Sequence, residues 1–468
     1  MLPATGIHAP LLQEKKQGEK RASVYGAVFN VSTSIIGAGI MSIPATLKVL
    51  GVIPAFLLIT IVAWLVDISV EFLLRYTHSG DTTTYAGVMR EAFGRVGSVS
   101  VQVCVMITNL GCLIIYLIII GDVLSGNVHD GSVHLGVLQE WFGIHWWNSR
   151  AFALLLVVIF VMLPLVLFRR VGREKWEHGL FVLNKMWHLK VKDGGNPVHE
   201  YALRESLRFS SAISVLLAVV FVAICSVMAI CALVEGKTKS PRLLPHLDNK
   251  TSFFDLFTAV PVIVTAFTFH FNVHPISFEL SKPSDMVSAV KISLLLCAAI
   301  YFSIGIFGYL LFGESIMADI LINFDQSSDT AIAALLNDIV RLSYAFHLML
   351  VFPLLNFSLR ANIDELLFPK KLLLAKDSIR FVSLTLVLLV FAYLAAIAIP
   401  NIWYFFQFMG STSAVCLAFI FPGAIVLRDV HSISTTQDKI MAAVMIILAV
   451  ATSTIALSTN IFSLVRNK

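Results

Sequence analysis

Gly37-Ala38-Gly39-Ile40-Met41-Ser42-Ile43-Pro44 and Phe267-Thr268-Phe269-His270-Phe271-Asn272-Val273-His274-Pro275 each interrupt a long apolar run near its middle. In the first, two glycines, a serine and a proline fall close enough together to weaken a helix halfway along its length. Taken alone, that stretch leaves two readings open. It is either broken backbone held inside a protein, because lipid cannot satisfy free N–H and C=O groups, or a small-residue packing surface with a proline kink. The second stretch favours the break. Pro275 lacks an amide donor and clashes with the preceding turn, which frees carbonyls about one turn upstream. When the apolar runs are numbered along the chain, the two breaks fall in runs 1 and 6. That spacing is expected when two five-helix halves are related by an inverted repeat. In such an arrangement half-helix N-termini face an anionic group while unwound carbonyls take a cation or an ammonium. A zwitterion fits both, so the residues point to an amino-acid-like solute.

The composition agrees with a protein built in lipid. The chain has 468 residues, 57% of them hydrophobic and 13% charged, with a mean hydropathy of +0.85. Soluble domains average roughly 45–50% apolar and about 25% charged. An ordinary soluble enzyme is therefore excluded, as is a disordered or nucleic-acid-binding chain, which needs dense polar or basic tracts. A bilayer core requires about 20 apolar residues per helix. Runs of that kind predict an all-α polytopic membrane protein with eleven spans: Val24–Leu50, Val52–Leu74, Val99–Leu124, Phe152–Phe168, Phe209–Val234, Phe254–Leu280, Val287–Phe312, Leu336–Phe357, Ile379–Ile399, Ile402–Leu427 and Ile440–Leu464. Residues 1–22 read as a polar tail, and residues 23–468 as one transmembrane domain. Within it, Gly172–Arg204 is a polar stretch too hydrophilic to span, expected to be an unstructured or partly amphipathic insertion. With the N-terminus in the cytoplasm, 25 Lys and Arg lie on the cytoplasmic side and 8 on the other, with Arg341 inside a span. The positive-inside rule therefore predicts that orientation, and it survives removal of the insertion.

Six cysteines (Cys104, Cys112, Cys225, Cys231, Cys297, Cys416) all sit in apolar runs, which supports neither a disulfide scaffold nor a thiolate metal site. His270 and His274 stand four apart. A zinc hydrolase would place Glu after the first histidine, where Phe271 stands instead, so no metal and no cofactor is expected. The better reading is a histidine that holds loop geometry or titrates. Further polar residues at depth are Asn30, Ser32, Thr33, Ser34, Asn109, Tyr116, Asp122 and His347, functional candidates because ionisable or polar groups in lipid are expensive. Glu71 and Arg75 are spaced for an i,i+4 ion pair.

The runs FNVSTSIIGAGIMSIP in span 1, NLGCLIIYLIIIGD in span 3 and FHFNVHPISFEL in span 6 resemble the amino acid/auxin permease family. Within it, the chain is most similar to plant and fungal vacuolar-type transporters and to animal sodium-coupled neutral amino acid transporters. The resemblance extends from Ala22 onward. It implies the leucine-transporter-like fold with its 5+5 inverted repeat, and secondary transport of L-amino acids across a vacuolar or other endomembrane. By position it carries over Ile36, Gly37, Ala38 and Gly39 as the backbone that meets the substrate carboxylate. Phe269, His270 and Phe271 match the carbonyls that meet the amine, His274-Pro275 matches the family's His-Pro pair, and Tyr116 matches a tyrosine facing the same cavity. Two departures bear on the coupling ion. Sodium-coupled relatives carry Asn where this chain has Thr33, and hydroxyls where it has Met349 and Val351. A sodium site would retain chiefly backbone oxygens with Ser32, Thr33 and Ser343, so a proton is the expected ion, with His347, His270 and His274 as candidate carriers. The alternative function is an amino-acid sensor on the same fold. A membrane-embedded enzyme would require a polar catalytic constellation that these residues do not form.

Overall fold

Apolar segments in a bilayer close their backbone hydrogen bonds within helices, and only protein-buried stretches escape that constraint. The computed structural model follows this rule; it describes residues 23–129, 132–167, 198–245, 253–280, 282–325, 331–368, 374, 377–399 and 402–466. α1 (Val24–Ile35) and α2 (Gly39–Leu50) form the first span, bent by 61° between them. α3 (Val52–Ser79) and α4 (Tyr85–Ser125) are the second and third spans. An antiparallel hairpin of β1 (Asn127–His129) and β2 (Ser132–His134) pairs Val128 with Val133. α5 (Val137–Phe142) then leads to α6 (Arg150–Leu167) and α7 (Val198–Val234), the fourth and fifth spans. α8 (Ala259–Ala266) and α9 (His270–Glu279) make the broken sixth span. α10 (Asp285–Phe312), α11 (Ala331–Leu367), α12 (Ser378–Ala398), α13 (Ile402–Arg428) and α14 (Thr436–Arg466) complete the bundle. Among the described residues, ten helices are long and apolar enough to cross a bilayer, and the bent α1–α2 pair makes eleven.

The differences from the expected spans have a common cause. α4 begins at Tyr85, well before Val99, because Thr84 caps it by accepting the Gly87 N–H at 3.0 Å. Gly94, at φ 65° and ψ −154°, then turns this first stretch into the membrane-crossing part. α11 likewise runs to Leu367, past the apolar run that predicted it. Hydropathy marks where lipid is, whereas caps and tertiary contacts decide where helices end. The tail 1–22 and most of Gly172–Arg204 lie outside the described residues; Val198–Arg204 forms the start of α7.

Because successive spans alternate in direction, the connections gather at two ends. At the end bearing Ser23, Arg75 bonds Glu71 at 3.1 Å, as its spacing predicts, and also Asp438 at 2.7 Å. At the opposite end Asp122 pairs with Arg150, Arg341 with Glu140, and Arg242 with Glu314. Asp122, a functional candidate in the sequence, is thus one half of an ion pair joining α4 to α6.

Candidate functional site

The first break is short. The Ile36 N–H still reaches Ser32 O, but Ile36 leaves the helical region at ψ 88°, and the chain turns through Gly37 and Ala38 before α2 begins. The second break covers Phe267 to Phe269, whose ψ angles at the two ends are 4° and 10°. Both segments are buried: Ala38 is 4% exposed, and Phe267 and Phe269 are not exposed at all. They also touch. A Cβ placed on Gly39 would lie 2.7 Å from the Ala266 Cβ and 2.8 Å from its Cα, so only glycine allows the two breaks to approach this closely. α2 and α9 start at this junction, and α1 and α8 end at it. Two helix N-termini and two helix C-termini therefore converge, with partial charges of opposite sign, and short turn bonds such as Ile40 N–H to Gly37 O at 3.3 Å engage part of their backbone groups.

Three tyrosines from neighbouring spans close over the junction. The Tyr301 hydroxyl of α10 lies 2.7 Å from Ile35 O and 3.0 Å from Ala266 O, so a single donor serves carbonyls on both breaks. Tyr344 of α11 donates to Gly37 O at 2.6 Å. The Tyr116 hydroxyl of α4 stands 2.9 Å from where a Cβ on Gly37 would be. Tyr116 is among the candidates read from the sequence, as a polar residue at depth and by the resemblance; Tyr301 and Tyr344 are not. Each offered the one available signal, a phenol within an apolar run, without indicating which carbonyl it meets.

The other candidates divide by location. Ile36, Gly37, Ala38, Gly39 and Phe269 lie in the breaks, and Phe271 is in the first turn of α9. His270 opens α9, but its ring points to α3, with Nε2 2.8 Å from Ser69 Oγ. His274, one turn further on, makes the corresponding contact with Thr77 Oγ1 at 2.8 Å and stacks on Tyr85. The two histidines pin α9 to α3 at separate hydroxyls and do not converge on a common centre. Wholly buried His347 packs at a tilt against Tyr344, with ring centroids 4.8 Å apart. The Thr33 and Ser343 hydroxyls donate to backbone carbonyls of their own helices, Phe29 O at 2.8 Å and Val340 O at 3.0 Å. Ser32 Oγ is buried without a partner among the described residues.

Two broken helices meeting end to end inside an eleven-span bundle define a membrane transporter of the leucine-transporter-like fold. A mutant of the manganese transporter of Eremococcus coleocola shares this architecture, with a TM-score of 0.56 at 14% identity, covering 93% of this chain and 86% of that one. The family model described as transmembrane amino acid transporter protein matches residues 20–172 and 205–463. The chain is 60% identical over 468 residues to amino acid transporter AVT6C of Arabidopsis thaliana, covering all of both sequences. It is 44% identical to AVT6A of the same plant, over 98% of this chain and 94% of that one. It is also 25% identical to sodium-coupled neutral amino acid transporter 7 of Danio rerio, over 91% and 84% respectively. This chain belongs to the amino acid/auxin permease family.

Proposed function

We propose that the protein moves L-amino acids across a vacuolar or other endomembrane by alternating access, with its N-terminus in the cytoplasm and with a proton, or the substrate gradient alone, as the driving force. The observation that carries this reading is the Tyr301 hydroxyl on Ile35 O and Ala266 O. Backbone groups with opposite partial charges meet at one point, and a single movable side chain occupies the carbonyls that an ammonium would take. The carboxylate would meet the N-terminus of α2 beside Gly37 and Gly39. Binding then requires Tyr301 and Tyr344 to yield their carbonyls, which links occupancy to the relative tilt of α1–α2 and α8–α9. A proton is favoured over sodium by the side chains available. Met349 and Val351 are buried and apolar, and the Thr33 and Ser343 hydroxyls are already directed at their own backbone.

The test is uptake by the purified protein in liposomes, with each of the twenty amino acids as competitor. Tyr301→Phe, which removes the hydroxyl tying the two breaks together and so uncouples their movement, is expected to lower uptake of the best substrate at least tenfold at wild-type abundance. Saturable binding without flux would replace the transport reading with that of a sensor.

A further inference from the structure

Residues 313–325, between α10 and α11, cover the end of the bundle opposite Ser23 and hold α2 in place. Ser42 Oγ donates to Ala318 O at 2.7 Å and Lys48 Nζ to Ile316 O at 3.1 Å. Arg242 bridges Glu314 and Lys48 O. Inside this segment Asp319 is wholly buried. Its Oδ1 accepts the Leu321 N–H at 2.9 Å, and its Oδ2 has no partner among the described residues.

We propose that Asp319 is a proton-binding site whose protonation seats residues 313–325 against α2 and whose ionisation releases them. Charge balance in a dry space sets the protonation of Asp319. Among the described residues, the charged groups facing Asp319 are Asp122 on α4 and Arg341 on α11, and Tyr344 lies within electrostatic reach. Asp122 is paired with Arg150. Arg341 gives one terminal nitrogen to Glu140 at 2.7 Å and the other to Leu135 O. From the remaining neighbours, Lys48 on α2 donates to Ile316 O, and Glu314 at the start of the segment is held by Arg242. The charges that act on Asp319 among the described residues are thus those of Asp122 and Arg341, and the pairs they belong to, Asp122–Arg150 and Glu140–Arg341, each sum to zero. These groups leave an ionised Asp319 uncompensated in a site it does not share with solvent. Burial, helped by the Asp122 charge and opposed by the Leu321 N–H and Arg341, pushes its carboxyl up to about 8. The sign follows from that direction. The seated arrangement holds the proton through the window between the ordinary carboxylate value and about 8, so seating weakens as pH rises through that window and is weakest above it. Because the same segment holds α2, whose first residues form the break, proton release at Asp319 frees the half-helix that bounds the substrate junction. Only the flux measurement below rests on the transport reading.

The test uses full-length protein carrying Ile320→Cys, a buried position beside the acid, labelled in detergent with a membrane-impermeant maleimide across pH 5 to 9. Rates are taken above those of the protein without the reporter and divided by those of the same reporter with Asp319→Asn, which cancels the thiol's own titration. The ratio is expected to climb with pH, by at most about tenfold per unit for a single proton. Asp319→Glu should restore the climb. Should Asp319→Asn fail to fold, Asp122→Asn provides the second handle: removing the neighbouring negative charge should move the labelling midpoint to lower pH by a unit or more. Identical pH profiles with Asp and Asn at 319, or an unmoved midpoint with Asp122→Asn, would overturn the proposal. In liposomes, Asp319→Asn should flatten the dependence of amino acid uptake on pH. A climbing ratio with wild-type uptake indifferent to a pH gradient would leave the site standing and remove proton coupling. Gradient-driven uptake with a flat ratio would do the reverse.

Discussion

At Gly37, the difference between a hydrogen and a methyl group tests the proposed substrate site. A Cβ there would lie 2.9 Å from the Tyr116 hydroxyl, and the next ring atom is at 3.9 Å. Overpacking of that order costs about 1–3 kcal/mol, and the obstruction is one oxygen. Gly37→Ala should therefore reduce liposome uptake, and adding Tyr116→Phe should recover a good part of it by removing that oxygen. Gly39→Ala has no equivalent relief, since the obstructing atoms include the Ala266 Cα at 2.8 Å, which is backbone. Failure of Tyr116→Phe to improve on Gly37→Ala would show that the tyrosine is not what limits this position. The interruptions at Gly37–Pro44 and Phe267–Pro275 were legible in the sequence because glycine and proline act on their own backbone. Tyr301, Tyr344 and Asp319 were not, because each acts on a different element and no local pattern names its partner.

At the scale of elements, the turn between α13 and α14 shows how the Ser23 end is held together. Asp429, itself in the left-handed region at φ 47°, accepts from Tyr76 at 2.6 Å and from the Ile433 and Ser434 N–H groups at 3.0 and 3.2 Å. Lys439 lies 3.0 Å from its other oxygen. Led by the Tyr76 hydrogen bond, these donors hold the carboxyl well below the usual carboxylate range. A depressed folded value contributes stability above the unfolded value of about 3.9, and that contribution is lost as pH falls through the folded one. Asp429→Asn keeps the side chain's size and tolerates the left-handed backbone. It should lower the melting midpoint of the purified protein at neutral pH, and the gap to wild type should narrow as pH is taken below about 4. A gap that does not change with pH would show that the carboxylate's charge is not what joins α3 to this turn. Such ties explain why element ends were the least legible part of the fold. Hydropathy located eleven spans, but the cap at Thr84 that starts α4 early and the three-residue strands after it involve polar residues that carry no membrane signal.

For the whole molecule, the family match divides into residues 20–172 and 205–463, with 173–204 unmatched between them. Deleting 173–204 joins two matched blocks across what needs to be only a short turn, and uptake should be preserved. Loss of flux at normal abundance would make that stretch functional. The driving ion is likewise a property of the whole site. Sodium is held by several oxygens at once, in folds of this kind by unwound carbonyls and helix C-terminal ends together with side chains. Here Tyr301 and Tyr344 occupy Ile35 O, Ala266 O and Gly37 O, the buried Met349 and Val351 contribute no oxygen, and Ser32 Oγ is left as an unpartnered hydroxyl near the first break. A proton needs only one group that changes charge in the working range, and Asp319 is placed to be that group without any coordination shell. Replacing sodium with an impermeant organic cation should therefore leave uptake nearly unchanged, while collapsing a pH gradient should abolish accumulation above the equilibrium level. A steep, saturable sodium dependence in liposomes would require the tyrosine hydroxyls to vacate those carbonyls for the ion, and would overturn the proton assignment while leaving amino acid transport in place.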